Sequence, residues 1–355
     1  MTSPEQQRPR RVREPAPETL VSGGSFSWGT FDGAPGRLNL LDHWASPLAR
    51  RWHATRLKEW QAFELFGETH FVLGAVYDAK LLGLVQIVVV DVATNTARRW
   101  ERQVPSRRLS VAQGLRGTRS TGSGGPLQVA FDNDIDHGRL TITATSSADG
   151  ESPPLELRVD GSCSAETGDG AHLMICHPFP HDMPLYSHKC VMALDATLRM
   201  GDDEVRFERD RSVLILDDHK GHYPSPMIYD WVTGARLDPG SRRVAFNLTD
   251  NQVNDHDRFN ENALFLDGDV HLLGGVRFER PDGVHARWQV RDRDGRVEVD
   301  FEPTVRNEQH VGPRSLLADY YGPFGRCSGW IEADDGERVS VDGCFGMGEQ
   351  KFIRF

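Results

Sequence analysis

The feature that most narrows what this chain can fold into is a period-two alternation of apolar and polar residues, punctuated by Asp-Gly pairs. In VHARWQVRDRDGRVEVDFEP, residues Val284, Ala286, Trp288 and Val290 alternate with His285, Arg287, Gln289 and Arg291. Asp294-Gly295 then turns the chain, and Val297, Val299 and Phe301 resume the alternation. Successive strand side chains point to opposite faces, and Asp-Gly readily adopts the positive φ angles of a tight turn, so this segment predicts a β-hairpin with one wet face. FVLGAVYDAKLLGLVQIVVVDVATNTARRW predicts three strands across two turns, and GWIEADDGERVSVDG another pair. Asp267-Gly268, Asp282-Gly283 and Asp335-Gly336 mark further turns, and 35 glycines with 20 prolines suit a chain that turns often. The expectation is a mostly β protein built as two antiparallel barrels or sandwiches.

Helix signals are scarce. SPLARRWHATRLKEWQAFELF predicts a short helix first, then from Lys58 a strand with Trp60 and Ala62 on one face and Phe63 and Leu65 on the other. PRSLLADYY allows one or two helical turns, and the low-complexity stretch GTRSTGSGG reads as a mobile loop.

A chain of 355 residues is long for one core, so two domains are expected. The proline-rich stretch ICHPFPHDMPLYSH is the natural divide, giving a disordered tail over 1–20, one barrel over 21–185 and a second over 186–355. The tail has basic charge but no apolar run, which fails as a secretory signal. Net charge is −11, so no global basic field draws nucleic acid, and Leu84 to Val90 is too short to span a bilayer. Five widely spaced cysteines, odd in number, predict reduced thiols and a cytoplasmic location. No Walker loop, dinucleotide fingerprint or Gly-x-Ser-x-Gly elbow is present, so no cofactor is expected.

The densest chemistry lies in LDDHKGHYPSPMIYDW, Leu216 to Trp231. RSVLIL before it reads as a strand, placing Asp217 near a strand end. If that carboxyl is sequestered among aromatics, desolvation raises its proton affinity and makes it a proton donor. If the segment is a surface turn, its aspartates cap backbone amides and its histidines are wet. In NLTDNQVNDHDRFNENALF, residues 250–257 read as a solvated loop, while Asn247, Glu261 and Asn262 could point inward to hold a water or a ligand's polar end. CHPFPHDMPLYSHKC offers Cys176, His177, His181, His188 and Cys190, all side chains that zinc accepts. Their spacing matches no compact metal motif, so no metal is expected and a stiff linker is the better account. DNDIDHG has its glycine one place late for a calcium loop and reads as an acidic hairpin turn. Lys58-Glu59 reads as an ion pair. The early aromatics Trp28, Trp44, Trp52, Trp60 and Trp100 fill a core or line an apolar ligand site.

Asp217, His219, Gly221, Pro224 and Trp231 together resemble the Asp-x-x-x-Gly, Pro, Trp stretch of lipocalin-like proteins that include bacterial carotenoid hydratases and AttH-type proteins. GSFSWGTFDG, RLKEWQAFELF, SHKC with Lys189, FNLTDNQVNDHDRFNENALFLDG and the closing GCFGMGEQKFIRF resemble a bacterial family of unknown function within that group. The likeness runs from about Ser22 to Phe355. It implies two tandem lipocalin-like antiparallel β-barrel domains with few short helices, and a site in or between them. It further implies Asp217 as catalytic acid with His219 orienting it. His222, Tyr223, Trp231, Asn247, Glu261, Asn262 and Trp60 are the expected ligand contacts. Two departures touch the acid's wall: Asp218 follows Asp217 where an aromatic is common, and Tyr229 replaces the first tryptophan of a Trp-x-Trp-Ala ending.

Two functions remain open from sequence. One is a cofactor-free hydratase, isomerase or cyclase that protonates a carbon–carbon double bond of an apolar, isoprenoid-like or lipid substrate. The other is a carrier that binds such a molecule unchanged. The oligomeric state is not legible.

Overall fold

The structure, a computed structural model, describes residues 11–150, 152–163, 170–237, 242–311 and 318–354. Within them the chain is mostly β, with a single α-helix at Pro47–Ala54, as the sequence predicts. No helix among the described residues is long and apolar enough to cross a membrane.

Two large sheets carry the fold. The first forms a nearly closed barrel, and its strands run, in spatial order, Thr96–Pro105, Leu82–Asp91, His70–Asp78, Lys58–Phe66, Val213–Gly221, Met183–Met200, Leu155–Ser162, Arg139–Ser146, Leu127–Asp134 and Arg116–Gly124. The second is a half-barrel centred on Arg243–Asp250, Met227–Leu237, Phe345–Ile353, Phe324–Glu332 and Val297–Val305. The hairpins at Asp294-Gly295 and Asp267-Gly268 form as predicted. At the latter Asp267 has φ 50° and Gly268 φ 94°, the positive pair that Asp-Gly tolerates.

Strand alternation sorts most of the buried apolar residues into three layers, and a smaller fourth cluster packs Leu20, Phe31 and Leu40 against Met174 and Tyr186. Phe63, Leu65, Ile87, Phe131, Ile142 and Leu216 fill the first barrel. Phe246, Trp288, Val299 and Phe301 fill the second sheet's own hollow. The opposite faces of both sheets meet in a third layer containing Phe71, Leu73, Tyr223, Met227, Trp231, Phe345 and Met347. The Val213–Gly221 strand is therefore buried on both faces at every one of its 9 residues. Its charged members must find partners inside the protein, because an unpaired buried charge is prohibitively costly.

Several expectations need correction. The first sheet's last strand in sequence ends at Gly221 and the second sheet's first begins at Met227, while residues 185 and 186 fall inside the Met183–Met200 strand. The proline-rich stretch is a strand hairpin rather than a linker: Pro178 lies opposite Pro184 near its tip, and their carbonyls accept from Asn254 and His222. GTRSTGSGG is strand, not loop. A Cβ added at Gly122 would lie 2.7 Å from Val85, so the missing side chains allow close packing inside the barrel. Ala318–Tyr321 is strand rather than helix, and Pro313 to Leu317 lie outside the described residues. Of the expected tail, residues 1–10 are likewise outside them, but Arg11 straps the two halves together. It donates to Thr30 of the first sheet and to the side chain and carbonyl of Asn260 beside the second.

Candidate active site between the two sheets

The register of three strands builds the site. Asp217 lies directly across from Ala62 on one neighbour and Lys189 on the other, and His219 lies across from Trp60. All face the layer between the sheets. The second sheet contributes Tyr229 and Trp231 from one strand and Met347, Glu349, Lys351 and Ile353 from the next. Together they enclose a cavity of about 210 Å³, walled by Trp60, Ala62, Glu64, Leu73, Ala75, Tyr223 and Met227. Half-buried Tyr77, Leu84, Gln86, Asn307, Gln309 and Ala318 mark its more open side. The volume exceeds the about 150 Å³ of an engineered apolar cavity that takes up benzene.

The wall holds a buried quartet of charges. Lys189 Nζ donates to Asp217 Oδ1 at 2.5 Å and lies 3.7 Å from Glu261 Oε2. His219 Nε2 lies 3.1 Å from Asp217 Oδ1 and 3.5 Å from Glu261 Oε2. Its Nδ1 is 3.2 Å from the Tyr223 hydroxyl. Trp60 donates to Asp217 Oδ2 at 3.3 Å and stacks on the His219 ring at 4.4 Å. Tyr229 donates to Glu261 Oε1 at 2.8 Å. Two cations and two carboxylates sum to zero, which is how four charges can persist inside a protein.

That pairing reverses the sequence expectation for Asp217. Burial alone would push its carboxyl up, but the charges of His219 and Lys189, with their hydrogen bonds, outweigh it and hold Asp217 well below the carboxylate range. Asp217 is an anion here, not a stored proton. Glu261 follows the same balance: burial opposes, but His219, Lys189 and the Tyr229 hydrogen bond lower it to about 2. Burial pulls His219 and Lys189 down, yet Asp217 and Glu261 leave both raised.

Glu64 has the contrary environment. Two residues along the strand from Ala62, it reaches the same cavity, buried, with Oε2 making no hydrogen bond. Burial first, then the negative charges of Asp217 and Glu349, raise its proton affinity well above normal, against the pull of Lys189. The quartet is already neutral and Lys351 is already paired with Glu349, so a charge on Glu64 would have no cation of its own. Its surroundings therefore favour the protonated form of Glu64.

Of the sequence candidates, Asp217, His219, Tyr223, Trp231 and Trp60 line the cavity, and Glu261 backs it through His219 and Tyr229. Asn247 and Asn262 do not line it. Asn247 accepts from Trp231 Nε1 at 2.6 Å and donates to the Glu261 carbonyl at 2.8 Å. Asn262 accepts from the Thr249 amide and donates to the Gly274 carbonyl. Both fix the backbone behind the wall. His222 points away, with Nε2 on the His53 carbonyl at 3.0 Å and its ring beside Trp44, because it follows the strand end at Gly221. Asp218 points into the first barrel, 3.3 Å from Lys220, so the departure after Asp217 leaves the cavity wall untouched. Glu59 pairs with Lys80.

Sequence reasoning missed Glu64, Tyr320, Glu349 and Lys351, and left Lys189 without a role. Tyr320 donates to Glu349 Oε1 at 2.8 Å, and Lys351 pairs with Glu349 at 2.5 Å while lying over the Trp60, Tyr229 and Tyr320 rings. The signal for Glu64 was its position in AFELF, on the same strand face as Trp60 and Ala62.

Comparison with known proteins follows this geometry. The solved structure of kievitone hydratase from Nectria haematococca is similar over 84% of this chain and 88% of its own, at 11% identity and a TM-score of 0.52. A protein assigned as an AttH from Nitrosomonas europaea is similar over 85% of this chain and 94% of its own, at 11% identity and a TM-score of 0.48. CghA covers 85% of this chain and 89% of its own at 14% identity and a TM-score of 0.45. At such identities the likeness to the hydratase shows a shared fold alone. No curated protein matches the sequence. Residues 37–355 match the family described as Domain of unknown function (DUF2804), and the chain belongs to that family.

Proposed function

We propose that this protein is an acid–base enzyme acting on a small, mostly apolar molecule held between the two sheets. Glu64 serves as proton donor, and the Asp217, His219, Lys189 and Glu261 quartet serves as its charged counterpart. One observation carries the proposal: two carboxyl groups share a cavity, and their surroundings drive their proton affinities apart, Asp217 down and Glu64 up. Such a divided pair is how one site holds an acid and a base at the same pH.

The chemistry that fits is proton transfer to a carbon–carbon double bond, with addition of water or loss of a neighbouring proton to finish. Protonation by Glu64 leaves a carbocation, which the faces of Trp60, Tyr223 and Trp231 stabilise through their ring quadrupoles. The carboxylate left on Glu64 then takes a proton from an attacking water or from the adjacent carbon, which restores the acid, and the second choice gives isomerisation. The step needs no redox partner. The cavity favours a one- or two-ring molecule, or the reacting end of a longer one that emerges past Tyr77 and Gln309. The fold likeness to a hydratase agrees with this choice of reaction without carrying it.

The test is a panel of small alkenyl phenols incubated with the protein in deuterium oxide and followed by mass spectrometry. Deuterium uptake or gain of water in the presence of wild type, lost with Glu64→Gln, supports the proposal. Ligands that bind and return unchanged would make the protein a carrier.

A further inference from the structure

A second constellation lies off the cavity, at the other face of the Lys189 strand. Cys163 follows the Leu155–Ser162 strand, His172 lies on the Gly170–Phe179 strand, and Cys190 lies directly across from His172 on Met183–Met200. Three potential ligand atoms, one from each, lie within 4.8 Å of one another. Cys190 Sγ is 3.7 Å from His172 Nε2. Tetrahedral zinc, at about 2.3 Å from sulfur and about 2.0–2.1 Å from nitrogen, separates such a pair by roughly 3.5–3.6 Å. Small adjustments would bring both onto one ion.

The surroundings also fix the imidazole. His172 Nδ1 lies 3.1 Å from His188 Nε2. A proton on His172 Nδ1 donates to His188 and leaves the Nε2 lone pair facing the two sulfurs. Holding the distal N–H in this way is the usual outer support of a metal-bound histidine. We propose that Cys163, His172 and Cys190 form a zinc site, with His188 as its orienting partner and water in the fourth position. Two thiolates and an imidazole are soft enough to prefer zinc over magnesium or calcium. The ion would clip the end of one strand to a neighbouring hairpin, beside Lys189 in sequence yet on the opposite face. Sequence spacing could not reveal it, because the register of a long hairpin, not local spacing, brings Cys190 to His172.

The full chain, purified with reductant and stripped of metal, is titrated with cobalt(II) as a spectroscopic stand-in and then with zinc. The expected result is one equivalent of cobalt with thiolate charge-transfer and tetrahedral ligand-field bands, bleached by zinc. The bands should vanish in Cys163→Ser and in Cys190→Ser and persist in Cys176→Ser, whose thiol is buried elsewhere. His188→Asn should weaken zinc binding by about 10–100-fold without removing a ligand. Absence of the bands in reduced wild type would overturn the site, and that result needs no variant to fold. So would bands that survive loss of both cysteines, or a Cys163–Cys190 disulfide that re-forms in place of metal binding.

Discussion

Glu64 and Asp217 look into one cavity from adjacent strands, and the protein treats their carboxyl groups oppositely. Lys189 and His219 bracket Asp217 at 2.5 and 3.1 Å, whereas Glu64 Oε2 has no hydrogen-bond partner. Only the first can remain charged cheaply. The contrast sets the expected behaviour of every variant below.

Asp217→Asn removes the anion that Lys189 and His219 share and leaves buried positive charge uncompensated. Breaking a buried ion pair in this way costs about 3–5 kcal/mol. Urea unfolding should show a loss of that size, in contrast to what a neutral, stored acid would give. A change below about 1 kcal/mol, small beside that range, would mean that the pair contributes little.

Glu64→Gln replaces one neutral group with another of the same shape, so it should leave acid-pH stability nearly unchanged. Its effect should appear as pH rises. A carboxyl whose folded proton affinity is raised binds its proton in the folded state after the unfolded chain has released it. Stability therefore falls with rising pH from about 4.3 up to the raised folded value, by about 1.4 kcal/mol per unit. The variant lacks this slope and should be more stable than wild type at neutral and mildly alkaline pH, as measured by denaturant midpoints across the range.

Asp217 and Glu261 run the other way. Their folded values lie below the unfolded ones, so their stabilisation is full above the ordinary carboxylate range and disappears as pH falls through the folded values. His219, raised by its two carboxylates against the cost of burial, stabilises fully below about 6.5 and loses this as pH rises through its elevated value. Tyr229→Phe removes the hydroxyl that donates to Glu261 at 2.8 Å. A hydrogen bond to a charged group contributes about 1.5–3 kcal/mol, so this variant should lose that much at neutral pH and less at strongly acid pH. Equal losses at both would separate Tyr229 from the charge of Glu261.

Much of this site was legible in the chain because strand alternation is local. It correctly split Trp60 and Ala62 from Phe63 and Leu65, and the Asp217 stretch stood out by composition. Glu64 was not legible because a lone glutamate on an alternating strand looks like the wet member. Only the second sheet, brought over it from more than 160 residues away, makes that face dry. The proton affinity of Asp217 failed for the same reason: its partner Lys189 is set by strand register, which sequence does not print. His222 failed because alternation ends with the strand at Gly221, and GTRSTGSGG because Gly122 and Gly124 serve close approach inside the barrel.

Cavity occupancy is open to direct measurement. Naphthol, an apolar probe with one hydroxyl, should raise the melting temperature of wild type through binding to the folded state alone. Ala62→Trp fills the space between Trp60 and Glu64 and should abolish the shift. An undiminished shift in that variant would put the ligand elsewhere.

The most direct measurement is the infrared spectrum of the carboxyl groups in heavy water at neutral pH. A stored acid predicts a protonated-carboxyl carbonyl band in wild type that is missing in Glu64→Gln and weakened in Asp217→Asn, where the loss of the Asp217 charge lets Lys189 draw Glu64 toward its ionised form. A wild-type spectrum with carboxylate bands alone would contradict it, because Glu64 would then hold no proton to give.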